Sequence, residues 1–313
     1  MSHQIRRIII DTDPGLDDAY AILIFLQAEQ KGLVKIEAIT IAAGNTSLEN
    51  GCKNIARILE AEDRTDIPVY KGIQESLIQY NYVQSNYHGV DGFGDVFHDQ
   101  PDLSFIKNKF SSTAICDIVN KNPGEITIVC LAPLTNIALA AKLDTLFFEK
   151  VKECYIMGGN IHGKGNQTCS AEFNFYFDPE AAFVVLKKIS CPTTLLPLET
   201  CCNSTIDISW RHEVLGECSR MAMMNIVERT HTVSDPNKPN SWLPIDSFLA
   251  IAMLFPNFVV DKKQYHATVE LHGVLTRGQV VLDHLKTNKA NVVIIESLDV
   301  DFYKNTMLDM FKD

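Results

Sequence analysis

The sequence predicts an α/β fold: an open, Rossmann-like, mostly parallel central sheet with helices on both faces. Three observations predict it. Apolar runs of strand length alternate with longer stretches of helical periodicity through the first two-thirds of the chain. Those runs are near-continuous, as expected of strands buried on both faces. The 313 residues, 46% hydrophobic and 21% charged, hold enough apolar material for one large core.

Taken in order, Arg7–Ile10 reads as a buried strand, and Ala19 to Gln30 carries apolar residues at helical spacing. Lys35–Ile41 is the next strand. Ser47–Glu60 is helical, with Ile55, Ile58 and Leu59 on one face, and Ile67–Tyr70 is a short strand. Strands at Glu125–Leu131, Lys152–Met157 and Thr193–Leu198 then alternate with helices at Ser112–Asn120, Leu134–Lys142 and Pro179–Lys188. The last third reads differently: one long helix from about Ile208 to Thr230, a Pro/Asn/Ser-rich loop at Ser234–Ser241, and a helix at Asp246–Leu254. Strand-like Ala267–Leu271, Gln279–Leu282 and Val292–Glu296 follow, then a closing helix at Asp301–Phe311. No repeat, low-complexity tract or linker divides the chain, so residues 1–313 are expected to form a single domain.

Composition narrows the partners. A net charge of −11 offers no basic excess to displace the counterions of a polyanion, which argues against nucleic acid and permits a small neutral or cationic ligand. No apolar run is long enough to span a membrane, and no signal-peptide core precedes the first strand, so a cytoplasmic location is expected. The nine cysteines lack metal-knuckle spacing and read as mostly buried free thiols.

Chemistry concentrates after the first strand. Asp11, Asp13, Asp17 and Asp18 are four aspartates within eight residues. In an open α/β sheet, ligands bind outside the carboxyl ends of the strands. Asp11 and Asp13 sit at such an end, Pro14-Gly15 turns the chain, and Asp17 and Asp18 open the next helix, where its dipole favours carboxylates. Acidic helix caps alone would need two such residues. Four in so small a volume repel, and a divalent cation removes the conflict. Oxygen-only ligands specify calcium or magnesium, and a flexible cage with a bidentate carboxylate leans toward calcium.

The segment Asp11-Thr12-Asp13-Pro14-Gly15-Leu16-Asp17-Asp18-Ala19 closely resembles the opening motif of the inosine–uridine-preferring nucleoside hydrolase family. Ala43-Gly44-Asn45, His88-Gly89-Val90-Asp91-Gly92-Phe93-Gly94-Asp95, Ala132-Pro133-Leu134-Thr135-Asn136-Ile137-Ala138, Met157-Gly158-Gly159 and Ala171-Glu172-Phe173-Asn174 follow in the family's order. The resemblance implies calcium-dependent cleavage of the N-glycosidic bond of ribonucleosides to base and ribose, through an oxocarbenium-like transition state. It implies that Asp13 and Asp18, the carbonyl of Leu131 and the carboxylate of Asp246 hold the calcium, with the ribose 2′- and 3′-hydroxyls filling further positions. Asp13 would also deprotonate the attacking water. Asp17, Asn45, Asn166, Glu172 and Asn174 would grip the ribose hydroxyls, and His88 would stand beside the base. It also implies a homodimer or homotetramer.

The chain departs from the pattern at one position. Many family members carry a histidine immediately before the late metal-binding aspartate, where it is thought to protonate the departing base; here that position is Ile245, which has no proton to give. Trp242, as a base-stacking ring, and His231, as a proton donor, are the expected substitutes. Ile245 also keeps open a calcium- and nucleoside-binding protein with weak turnover. A third reading comes from the strand-Asp-x-Asp pattern, shared with phosphohydrolases of the haloacid dehalogenase type, in which Asp11 would attack phosphorus. The loop Thr232–Leu243 is expected to order over the substrate.

Overall fold

The computed structural model describes residues 5–78, 86–228, 231–232, 238 and 240–312. Its strands are β1 (Arg6–Thr12), β2 (Val34–Ile41), β3 (Val69–Lys71), β4 (Lys107–Phe110), β5 (Ile126–Cys130), β6 (Glu153–Met157) and β7 (Thr193–Leu196). A two-residue ribbon follows, β8 (Ile206–Asp207) with β9 (Ser241–Trp242), then β10 (Val259–Tyr265), the small pair β11 (Ala267–Val269) and β12 (Val280–Leu282), and β13 (Val292–Leu298). The central sheet has nine strands in the order β10-β13-β7-β6-β5-β1-β2-β3-β4. Every neighbouring pair in it runs parallel except β10 with β13.

Helices cover both faces, as the strand composition requires. They are α1 (Leu16–Gln30), α2 (Leu48–Ala61), α3 (Ser111–Lys121), α4 (Thr135–Leu143), α5 (Phe147–Lys150), α6 (Phe173–Phe177), α7 (Pro179–Lys188), α8 (Leu198–Asn203), α9 (Ala222–Val227), α10 (Ile245–Leu254) and α11 (Val300–Phe311). β1 shows why two cores form. Its side chains alternate, so Ile8 and Ile10 join a core with α1, α2, α10 and α11, while Ile9 joins one with α3, α4, α5 and α7. Ser47 caps α2 by accepting from the Asn50 amide at 3.2 Å, and Asp178 caps α7 by accepting from Ala181 at 2.9 Å.

Two strands of the central sheet went unpredicted, as did the two-residue ribbon β8–β9. β4 is the exposed segment Lys-Asn-Lys-Phe, and β10 is largely exposed and charged. Both lie at sheet edges, where the apolar signal of a buried strand is absent. The long helix predicted over 208–230 breaks into a π-turn at Trp210–Val214, two 3-10 turns, and α9. The Arg211 guanidinium donates to Asn225 at 2.9 Å and pairs with Glu228 at 2.8 Å. A continuous helix would hold Arg211 and Asn225 about 21 Å apart along its axis, so the chain folds back to close this buried pairing.

Among the described residues no helix is long and apolar enough to cross a membrane. The cysteines are free thiols, and Cys52, Cys116, Cys130, Cys154, Cys191 and Cys201 are buried.

The topology fixes where a ligand can sit. From β1 the chain steps outward to β2, β3 and β4, then returns to place β5 on the other side of β1. Successive connections therefore diverge at the β1/β5 boundary and leave a crevice beyond the carboxyl ends of those strands. Asp11 pairs in register with Cys130, and the Leu131 amide donates to the Asp11 carbonyl at 2.8 Å. The acidic turn after β1 and the end of β5 thus face the same crevice.

Candidate active site

The acidic turn is built by its own hydrogen bonds. Asp18, in the first turn of α1, takes one bond from the Gly15 amide at 3.0 Å and one from the Asn45 side-chain amide at 3.0 Å. The Thr12 hydroxyl and the Asp13 amide donate to its other oxygen. Asp13 accepts from the Asn45 amide at 2.7 Å through Oδ2. That contact explains the Ala-Gly-Asn motif: a Cβ on Gly44 would lie 2.0 Å from Asp13 Oδ2, so only glycine lets this backbone approach the carboxylate. Asp11 is fully buried, and its Oδ1 accepts from the Thr40 hydroxyl at 2.6 Å and the Asn136 amide at 2.8 Å. It is a brace between β1, β2 and α4. A nucleophile needs an accessible oxygen, so the phosphohydrolase reading of Asp11 is corrected.

Electrostatics then argue for a cation. Burial raises the carboxyls of Asp17 and Asp18 to about 6 and that of Asp11 to about 7. Burial, followed by the charge of Asp18, pushes Asp13 well above the usual carboxylate range. Asp246, at the start of α10, is raised in the same way by burial and then by Asp18, Asp17 and Asp13. Asp11 Oδ2, Asp13 Oδ1 and Asp17 Oδ1 are buried without a hydrogen-bond partner. Asp17, Asp18 and Asp246 bring ligand oxygens within 4.8 Å of one another. Orphaned oxygens and mutual repulsion, with no ammonium or guanidinium partnering these carboxylates among the described residues, are the chemistry of a hard divalent cation site. Of the expected side-chain ligands the grouping includes Asp18 and Asp246, adds Asp17 and does not include Asp13.

Beside the carboxylates opens a cavity of about 150 Å³. Asp17, Asn45, Asn166, Glu172, Asn174 and Asp246 supply its polar wall. Glu172 is the cap of α6: its carboxylate gathers the amides of Gly159 at 2.8 Å, Asn174 at 2.9 Å and Phe175 at 3.2 Å, and burial holds its carboxyl up at about 7. Gly159 adopts φ +68°, which favours glycine there. The Asn174 amide donates to the Leu131 carbonyl at 2.8 Å, tying α6 to the end of β5. Asn166 accepts from the Phe173 amide at 2.8 Å. His88 is buried; its Nδ1 accepts from the Leu16 amide at 3.3 Å, and its Nε2 lies 3.6 Å from Asp17 Oδ1. Burial lowers its imidazole to about 4, so it stands as a neutral ring with its Nε2–H toward Asp17.

Further wall residues had no role assigned from the sequence, although Met157 and Phe173 lie within two of the quoted motifs. Tyr87, Met157, Gln167 and Phe173 line the cavity, as do Leu198 and Cys202, one helical turn apart on α8. For that last pair the i, i+4 spacing was the available signal. Ile245 lines the cavity too, at 9% exposure, so an aliphatic side chain faces the ligand there.

Trp242 requires a correction. It is fully buried, sits edge-on to Tyr20 at 5.0 Å, and packs against Trp210 and Tyr303. Pairing of β8 with β9 turns its ring into the core, so it cannot stack on a base in the cavity. His231 is not among the residues that line the cavity. Half of the loop Thr232–Leu243, expected to order over the substrate, lies outside the described residues.

Comparison with known proteins agrees with this geometry. The profile described as inosine-uridine preferring nucleoside hydrolase matches residues 8–305. The inosine-uridine preferring nucleoside hydrolase of Crithidia fasciculata is 29% identical over 302 residues, covering 96% of this chain and 94% of the relative. The pyrimidine-specific ribonucleoside hydrolase RihB of Escherichia coli is 31% identical over 308 residues, covering 95% of this chain and 94% of that protein. A solved inosine-guanosine nucleoside hydrolase superimposes with a TM-score of 0.89 at 28% identity, over 98% of this chain and 99% of the other. A plant nucleoside hydrolase, PpNRh1, superimposes at 0.90 with 25% identity over 99% of each chain. With a profile match across nearly its whole length and a fold shared over nearly all residues, this chain belongs to the inosine-uridine preferring nucleoside hydrolase family.

Proposed function

We propose that the whole chain acts as one calcium-dependent catalytic domain, cleaving the N-glycosidic bond of free ribonucleosides to base and ribose. The observation that carries this is the cluster of buried, partnerless carboxylate oxygens at the crevice, opening onto a cavity walled by hydroxyl-binding amides and carboxylates. Asp13, Asp18, Asp246 and the Leu131 carbonyl would hold the ion. When bound, calcium supplies neutralising charge for the carboxylates and Lewis acidity for an attacking water.

The chain's own residues do the rest. Asp13 Oδ1 takes the proton from water, while the Asn45 amide on Oδ2 fixes the carboxylate's orientation. Asp17, Asn45, Asn166, Glu172 and Asn174 orient the sugar, using acceptors and amides that match hydroxyls as donor and acceptor. Orientation matters because the ribosyl group approaches a cation only when ring and nucleophile are aligned. The neutral His88 stands beside the base. Proton delivery to the departing base is assigned to His231 in this reading because Ile245, in the cavity wall, has no proton to give.

The test is a panel of inosine, guanosine, adenosine, uridine and cytidine, with free base and ribose measured together. Equimolar base and ribose without added phosphate is the expected outcome. Ile245 in the cavity wall supports one rival, a nucleoside-binding protein without turnover. Saturable nucleoside binding with no ribose from any member of the panel would establish that rival.

A further inference from the structure

We infer that Glu199 is a positioning residue for the reaction: its carboxylate sets the lip of the cavity that receives the sugar's 5′-hydroxyl. This rests on the hydrolytic reading above. Glu199 is 5% exposed and lies in the first turn of α8. Its Oε2 accepts from the Ile161 amide at 2.8 Å, and its Oε1 accepts from the amides of His162 at 2.8 Å and Lys164 at 3.2 Å. One buried carboxylate therefore gathers three amides of a single irregular segment, a strong charge-assisted arrangement.

That segment runs directly into the cavity wall. Asn160, fully buried, closes its base by donating to the carbonyls of Lys164 at 3.2 Å and Ser170 at 2.6 Å and accepting from the Val280 amide at 3.0 Å. The loop so closed presents Asn166 and Gln167 to the cavity. α8 itself is fixed: the Thr200 hydroxyl donates to the Ile295 carbonyl on β13 at 2.7 Å. Its Leu198 and Cys202 line the same cavity. A single short helix thus holds both an apolar wall and, through Glu199, the polar lip.

The carboxylate cluster of Asp17, Asp18 and Asp246 would engage the ribose 2′,3′-diol with the ion. The hydroxyl left for Asn166 is then the 5′-hydroxyl. Glu199 touches no substrate atom. Its effect passes through the position of Asn166, and small misplacements of an orienting group cost rate out of proportion to their size.

The experiment compares inosine with 5′-deoxyinosine for wild type, Glu199→Ala, Asn166→Ala and the double variant. Glu199→Ala should lower kcat/KM for inosine about 10- to 100-fold and for 5′-deoxyinosine less than about 3-fold. Asn166→Ala should show the same selectivity, and the double variant should be no worse than the poorer single variant. Glu199→Gln keeps one acceptor oxygen, so it should fall between wild type and Glu199→Ala on inosine, and it serves if the alanine variant does not fold. Equal losses on both substrates, or additive losses in the double variant, would overturn the inference while leaving the hydrolytic reading standing. A wild-type protein inert toward inosine, 5′-deoxyinosine and uridine alike would overturn that reading and this inference with it.

Discussion

Asp13→Ala is expected to lower kcat by about 10²- to 10⁴-fold on every nucleoside the enzyme accepts, the range a positioned general base contributes. Two features single Asp13 out. Its Oδ2 is pinned by the Asn45 amide at 2.7 Å, so the carboxylate cannot rotate freely. Its Oδ1 is buried with no hydrogen-bond partner. Asp18, by contrast, has both oxygens engaged by Thr12, Asp13, Gly15 and Asn45. Asp11 also keeps one partnerless oxygen, but Thr40 and Asn136 hold it as a brace against β2 and α4, whereas the charge of Asp13 bears directly on Asp246. A rate profile of Asp13→Ala within threefold of wild type, with calcium saturating, would remove Asp13 from the chemistry.

Stripping the metal should make stability strongly pH-dependent. In the metal-free protein, burial raises Asp11 to about 7 and Asp17 and Asp18 to about 6, all above the unfolded carboxylate value. For a carboxyl raised on folding, the stabilising contribution is complete below the unfolded pKa and is lost as pH rises through the folded pKa. The metal-free melting temperature should therefore fall between about pH 4 and 7, with a free-energy change on the order of several kcal/mol when the three groups are taken together. A bound divalent cation keeps the carboxylates it touches ionised, so the loaded protein should show a much shallower slope. Thermal melts at matched ionic strength, with and without chelator, measure it. Parallel curves for the two forms would contradict a metal site at these carboxylates.

Much of this was legible in the sequence, for identifiable reasons. Buried parallel strands leave near-continuous apolar runs, so β1, β2, β5, β6 and β7 fall where the runs lie. β4 and β10 carry no such signal because their side chains meet solvent at the sheet edges. The helical pattern over 208–230 is real in composition. It is overridden by a tertiary contact, the Arg211 pairing with Asn225 and Glu228, which no local periodicity encodes.

The site divides the same way. The aspartates of the first turn are adjacent in sequence, so their crowding is visible without a structure. The roles of Asn136 and Thr40 as braces for Asp11 are not, because each comes from a different element. Glu199 was invisible for a further reason: it binds only backbone amides, and an acceptor for amides leaves no pattern in side-chain types. Trp242 shows the limit of proximity in sequence. Four residues before Asp246 is close along the chain, but the β8–β9 pairing turns the ring into the core.

The central claim is that the buried carboxylates act through a bound calcium ion to release ribose from nucleosides. Ribose release from inosine and uridine by chelator-treated protein, before and after stoichiometric addition of calcium, tests it most directly. The account predicts no turnover in the stripped protein and recovery of activity that saturates near one ion per chain. Undiminished ribose release from protein shown to be free of divalent cations would contradict it.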